Sequence, residues 1–312
     1  SKMAELKRKP VILDTDIGDD IDDAYALALL MAEKANLLGV TTVYRNAVQR
    51  AKIAARLIGL WQRNIPVYAG ESYPEKQPLF RFDKADEGNV PNIPHYIPGE
   101  MQSEKIGGEN AVDFILNALR ARPHEITILA IGPFTNLAAA IKKDKSAFLL
   151  AKEVVIMGGD YTESEAEWNV LCDPEAAAAL FSSGVKIRAV GVDVTQCCRF
   201  SPETLAYLRA LKNPKNRLLF RMTEIWIAHN AEKGVSPTMH DPLTAETLFH
   251  KDLVRFETGR YEVCLTGEKR GFTQKSETGA QIEYAAAANV PKFMEILKNN
   301  LSREDRRGGT NE

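Results

Sequence analysis

Six aspartates fall within ten residues of the chain, 14-DTDIGDDIDD-23. Carboxylates this close repel one another, and each prefers water to a protein interior. The apolar residues 11–13 before them read as a strand, and the Ala/Leu-rich residues 23–31 after them as the start of a helix. The aspartates then lie in a strand-to-helix turn at the carboxyl end of a first strand, where open α/β sheets bind ligands. Gly18 supplies the backbone freedom a tight turn needs. Asp22 and Asp23 sit at the helix N-terminus, where the dipole and free N–H groups favour negative charge. Capping accounts for one or two acids, not six. The rest call for a positive partner. With no cysteine or histidine in the turn, that partner is a hard divalent cation with oxygen ligands, calcium or magnesium.

Two acidic patterns can be compared with the stretch. An EF-hand loop fails, because Gly18 arrives one place early and Tyr25 stands at the twelfth position. Asp14-Thr15-Asp16 fits the D-x-D pair of a magnesium-dependent phosphatase with an aspartate nucleophile. Gly18 stands where such an enzyme expects a hydroxyl residue.

The elements that must position these acids follow from the apolar pattern. Short apolar runs at 11–14, 38–44, 126–132, 153–159 and 185–194 alternate with helical patterns at 23–34, 47–62, 110–121, 134–142, 174–182, 202–211, 215–232 and 291–300. Continuous apolar strands separated by helices predict an α/β fold with a mainly parallel, Rossmann-like sheet flanked by helices. Residues 254–265 predict a small antiparallel addition near the C-terminus. Residues 71–108, rich in proline and charge without a sustained period, predict a long loop or flap over one edge. Residues 302–312 read as a frayed tail. No repeat or linker divides the chain, so a single domain over 1–312 is expected.

The 312 residues are 45% apolar and 26% charged with a net charge of −2, the profile of an ordinary soluble domain. That balance gives no general attraction to nucleic acid or to an anionic membrane, and no apolar run reaches the roughly 20 residues of a membrane helix. The opening SKMAELKRKP lacks the apolar core of a signal peptide. Cys172, Cys197, Cys198 and Cys264 match neither a zinc knuckle nor a CxxC pair, which predicts reduced thiols in a cytoplasmic protein.

DTDIG followed by an Asp-Asp pair opening an Ala/Leu-rich helix resembles the fingerprint of the inosine–uridine preferring nucleoside hydrolases. The resemblance extends along nearly the whole chain, through 41-TTVYRNA-47, 131-IGPFTN-136, 156-IMGGD-160, 167-EWNVLCDPEAA-177, 192-VDVT-195 and 239-MHDPL-243. It implies an enzyme of nucleoside metabolism and purine or pyrimidine salvage. Such an enzyme cleaves the N-glycosidic bond of ribonucleosides to free base and ribose by a calcium-bound water, through an oxocarbenium-like transition state. It implies Ca2+ held by Asp16, Asp23, the Ile131 carbonyl and Asp241, with Asp16 also the general base. Asp22, Asn46, Met157, Glu167 and Asn169 would contact the substrate, and Asp14 would support the site from behind. The partner implied is a small-molecule nucleoside, and the family's habit of dimers or tetramers implies a homo-oligomer.

The chemistry is coherent on its own terms. Calcium holds a water and vicinal hydroxyls together, a carboxylate beside an acidified water can take its proton, and an oxocarbenium-like centre gains from hydrogen bonds to the sugar. His240, directly before Asp241, is the candidate general acid toward the leaving base, since imidazole titrates near neutral pH; orienting Asp241 is its other reading. Trp226 and His229 read first as core residues, with contact to a nucleobase the alternative.

The chain also departs from the family. Two residues are added in the aspartate turn, so Asp19 and Asp20 exceed the pattern, and Ile17 replaces a usual proline. The connection from MGGD to EWN is short and lacks a Gly-Asn, and 86-DEGNV-90 stands where a His-Gly element is expected. A non-catalytic nucleoside or sugar binder is therefore a second reading beside the hydrolase.

Overall fold

A computed structural model describes residues 1–2, 4–5, 9–80 and 90–308, the last two as backbone only. Nine strands form one sheet: β1 (Pro10–Thr15), β2 (Asn36–Thr42), β3 (Val67–Ala69), β4 (Thr127–Ala130), β5 (Glu153–Met157), β6 (Ile187–Val190), β7 (Val254–Val263), β8 (Thr273–Lys275) and β9 (Ala280–Ala288). Their order is β3-β2-β1-β4-β5-β6-β9-β7-β8. β1 to β6 are parallel, β9 adds in parallel to β6, and β7 and β8 follow antiparallel. The expected mainly parallel sheet with an antiparallel C-terminal part is the observed architecture, and among the described residues no helix is long and apolar enough to cross a membrane. The order reverses between β1 and β4, which opens a crevice beyond their carboxyl ends.

β1 is buried along its whole length, as a central parallel strand must be. The helix Asp22–Ala32 that follows is buried at all eleven positions. It is a core helix, apolar all round except for the two acids that open it. The short helix His240–Glu246 lies beside it, and the backbone N–H of Asp241 donates to Asp22 Oδ2 at 2.9 Å. At the far ends of the pair, His250 Nε2 lies 3.1 Å from Glu33 Oε2 and 3.4 Å from Glu246 Oε2. The two helices are thus joined at both ends, and both N-termini face the crevice.

Several boundaries differ from the sequence reading. Residues 185–194 are not one strand: β6 ends at Val190, Gly191 turns, and Val192–Thr195 is a helical turn. β2 stops at Thr42, and residues 44–46 adopt left-handed backbone. Of the tail expected to fray, the part through Gly308 is helical, and residues 309–312 lie outside the described residues. Its anchors include Arg303 to the Ala32 carbonyl and Lys215 to Glu304. In the 71–108 stretch the described parts pack closely. Leu79 and Ile93 are buried, and Phe80 N donates to the Tyr44 hydroxyl. Residues 86–89 of the DEGNV element lie outside the described residues.

Candidate active site

A cavity of about 570 Å³ opens at the carboxyl ends of β1, β4 and β5. Its wall includes Asp16, Asp19, Asp20, Asp22 and Asp23 from the aspartate turn, Ile131 after β4 and Met157 at the end of β5. Glu167 and Asn169 come from the next connection, and Trp226, Asn230, His240 and Asp241 from the opposite side. The loop geometry explains the gathering of acids. Gly18 has φ +128°, and a side chain there would run into Ile93 and Ile53. A Cβ on Gly132 would come within 2.9 Å of the Asp16 backbone nitrogen. Gly132 thus lets the Gly-Pro turn press against the aspartate turn, and Gly18 lets the aspartate turn pack against Ile93 and Ile53.

Carboxylate oxygens of Asp22, Asp23 and Asp241 lie within 4.8 Å of one another, and all three residues are buried. The charge of Asp23 bears on the Asp16 carboxyl, and Thr15 Oγ1 donates to Asp23 Oδ2 at 2.6 Å. The electrostatics are those of a site wanting positive charge. Burial, then the charge of Asp22, pushes the Asp23 carboxyl up to about 7. Asp16, Asp22 and Asp241 are held well above the usual carboxylate range, first by burial and then by their acidic neighbours. In the cavity wall, among the described residues, Arg45 is the one guanidinium or ammonium group, and it pairs with Asp19. A divalent cation would relieve the repulsion, and an all-oxygen donor set of this kind suits calcium or magnesium. The Ile131 carbonyl also borders the cavity and accepts from Asn169 Nδ2 at 3.2 Å.

Glu167 caps the helix Trp168–Cys172, accepting from the N–H groups of Asn169, Val170 and Gly159. Burial outweighs those bonds and pushes its carboxyl up to about 7. Asn169 Nδ2 also donates to the Met157 carbonyl at 2.8 Å, tying the EWN segment to the end of β5. His240 Nδ1 lies 2.6 Å from Thr195 Oγ1, and among the described residues no hydrogen bond engages Nε2. Burial lowers the imidazole's proton affinity, and the Asp20 carboxylate opposes it.

Two residues lie outside the cavity wall. Asn46 is not in the cavity wall. Its φ is +61° and its Oδ1 accepts from Gln49 N at 3.2 Å, so it caps the helix Ala47–Leu60, and its neighbours Tyr44 and Arg45 reach the cavity instead. Asp14, the nucleophile of the phosphatase alternative, is fully buried outside the cavity wall. Its Oδ1 accepts from Thr41 Oγ1 at 2.6 Å and Asn136 Nδ2 at 2.7 Å. That carboxylate ties β1 to β2 and to the helix Thr135–Lys143 behind the site, and it does not fit a nucleophile. Of the aromatic pair, Trp226 is both buried and a cavity residue, whereas His229 is exposed and outside the wall. The sequence reading did not single out Arg45, Phe80, Trp168 or Asn230. Trp168 is the middle residue of EWN and Arg45 lies within TTVYRNA, but no local signal marks Phe80 or Asn230.

Comparison with known proteins agrees with this geometry. The family model described as inosine-uridine preferring nucleoside hydrolase matches residues 11–295. The chain is 31% identical to uridine nucleosidase 1 of Arabidopsis thaliana over 291 residues, covering 86% of this chain and 82% of the relative. It is 31% identical to the pyrimidine-specific ribonucleoside hydrolase RihA of Shewanella, covering 78% and 79%. Among solved structures, the purine-preferring ribonucleoside hydrolase of Gardnerella vaginalis superimposes with a TM-score of 0.83 at 25% identity, covering 96% of this chain and 100% of that one. The chain belongs to the inosine–uridine preferring nucleoside hydrolase family and is a hydrolase acting on nucleosides.

Proposed function

We propose that the protein hydrolyses the N-glycosidic bond of ribonucleosides to free base and ribose with the help of calcium. The convergence of Asp22, Asp23 and Asp241 beside Asp16 carries this reading, because those acids cannot all ionise together unless a cation joins them. Asp23, Asp241, Asp16 and the Ile131 carbonyl would hold the ion. Bound there, calcium supplies an acidified water and coordination places for the ribose 2′- and 3′-hydroxyls.

The chain's own groups do the rest. Asp16 takes the proton of the attacking water as it approaches C1′, and Asp22 accepts a hydrogen bond from a ribose hydroxyl. Glu167 and Asn169, fixed to the backbone of β5 and its own helix, form the sugar wall together with Met157. Hydrogen bonds from the sugar to these groups strengthen as the ring gains oxocarbenium character. His240 Nε2 delivers a proton toward the departing base, while Thr195 fixes the ring through Nδ1. The free thiols suit a cytoplasmic protein, and self-association as a dimer or tetramer is part of the same reading.

The names of the curated relatives make uridine the first nucleoside to try. The test is a panel of purine and pyrimidine nucleosides and one phosphomonoester, assayed with calcium for reducing sugar, free base and phosphate. Equal release of ribose and base supports the reading. Tight nucleoside binding without either product would overturn it in favour of a binding protein.

A further inference from the structure

Arg50 has a fully buried side chain on the inner side of the helix Ala47–Leu60. Burying a guanidinium is costly unless its N–H groups all find acceptors. Here each nitrogen does. Nε donates to the Tyr44 carbonyl at 2.5 Å and to the Arg45 carbonyl at 3.2 Å. Nη1 donates to the carbonyls of Asp16 at 2.7 Å and Ile17 at 3.1 Å, and Nη2 to Asp19 Oδ2 at 2.7 Å. The acceptors belong to two different loops, the aspartate turn after β1 and the turn after β2.

The second of these is strained. Tyr44, Arg45 and Asn46 have φ of 74°, 48° and 61°, three consecutive non-glycine residues in the left-handed region. Such backbone persists only where its surroundings hold it. Two of the three carbonyls in that turn accept from the Arg50 side chain, the third accepts from its backbone N–H, and Arg45 also meets Asp19 from the cavity side. Asp19 therefore bridges Arg45 and Arg50, which gives this extra acid of the aspartate turn a function of its own.

We propose that Arg50 is a positioning residue of the active site. Through the Asp16 and Ile17 carbonyls it sets where the Asp16 carboxylate stands, and through the 44–46 turn and Asp19 it holds Arg45 in the cavity wall. Only arginine suits the place: lysine offers a single charged nitrogen that cannot span both loops. None of its hydrogen bonds goes to Asp22, Asp23, Asp241, Glu167 or Asn169. Loosening it should therefore disturb the proton-accepting step more than substrate binding. The inference rests on the reading of Asp16 as general base.

The experiment compares wild type, Arg50→Lys, Asp19→Asn and Asp16→Asn with uridine at saturating calcium, well below each melting temperature. A displacement of about 1 Å at a catalytic group can cost on the order of 100-fold in rate. Arg50→Lys should lose 10- to 100-fold in kcat, with KM changed by less than about 3-fold. Asp19→Asn, which removes one acceptor and leaves the carbonyls in place, should show the same split with a smaller loss of about 3- to 10-fold. A purely structural role would lower the melting temperature and leave kcat of the folded protein unchanged, and that result in Arg50→Lys would overturn the proposal. If Arg50→Lys does not fold, Asp19→Asn decides: a loss in kcat supports positioning, while a rise in KM alone or no change refutes it. Asp16→Asn separates the two levels. Full activity there would remove the base assignment itself, whereas an inactive Asp16→Asn beside a fully active Arg50→Lys would remove only the role of Arg50.

Discussion

Removing the cation should reverse the usual effect of mild acid on this protein's stability. In a protein stripped of metal, Asp23 titrates at about 7 when folded and near 3.8 when unfolded. A raised folded value means the folded state binds the proton more tightly. The stabilisation is complete below 3.8 and is lost as the pH rises to 7. Between pH 7 and pH 5 this group alone favours the folded state by 1.36 kcal/mol per pH unit, about 3 kcal/mol in all. Glu167, raised to about 7 by burial against its backbone hydrogen bonds, contributes a similar amount over the same interval. Asp16, Asp22 and Asp241 act in the same direction. His95, held down at about 4 by burial, opposes them by about 2 kcal/mol between pH 6.5 and pH 5, and His240 opposes in the same sense. Asp19, which Arg50 and Arg45 keep low in spite of burial, changes only below 3.8. A net gain of about 4 kcal/mol corresponds to roughly 6 °C in Tm for a chain of this size. The assay is a melting curve at pH 7, 6 and 5 in chelator and again in excess calcium. Tm in chelator should rise on acidification. Tm with calcium should stay level or fall, because protons then compete with the ion. A metal-free Tm that is flat or falls from pH 7 to pH 5 would refute the carboxylate crowding from which the cation site is argued.

Substitutions probe the assigned roles more locally. Asp16→Asn should lower kcat by 10²- to 10⁴-fold, the range of a general base, as measured by release of ribose from uridine. His240→Gln should slow nucleosides by at least 10-fold and leave a riboside with a nitrophenolate leaving group nearly untouched, since that group departs without a proton; equal losses on both would rule out the acid role. Asn46→Ala should lower stability by about 1 kcal/mol through the lost cap and leave KM within about 2-fold, as chemical denaturation and steady-state kinetics would reveal.

The parts of the fold written in local pattern were legible before any coordinates. The helix Pro174–Ser182 has its proline at the first turn and Asp173 as its cap, and its bounds match the sequence reading. Strands buried on both faces left unbroken apolar runs, as at β1 and β5. The aspartate turn was legible because no other structure rationalises six acids between two apolar elements. Long-range or conformational features were not. β8 and β9 carry polar and alanine-rich sequence, and their strand state comes from pairing with β7 rather than from propensity. Asn46 looked like a sugar contact because its motif matched. Three left-handed residues turned the chain so that Arg45 entered the cavity and Asn46 became a cap. Nothing in the helical pattern at 47–62 marked Arg50, since the carbonyls that claim it come from segments up to 34 positions away in sequence.

Direct measurement of calcium binding bears most closely on the whole account. Titration of calcium into metal-free protein, followed by calorimetry in parallel with ribose release from uridine, should give one tight site per chain. Activity should rise in step with its occupancy, and both should be lost together in Asp23→Ala and Asp241→Ala. Full calcium binding or wild-type turnover in either variant, or activity in the wild type that is indifferent to removal of the ion, would contradict it.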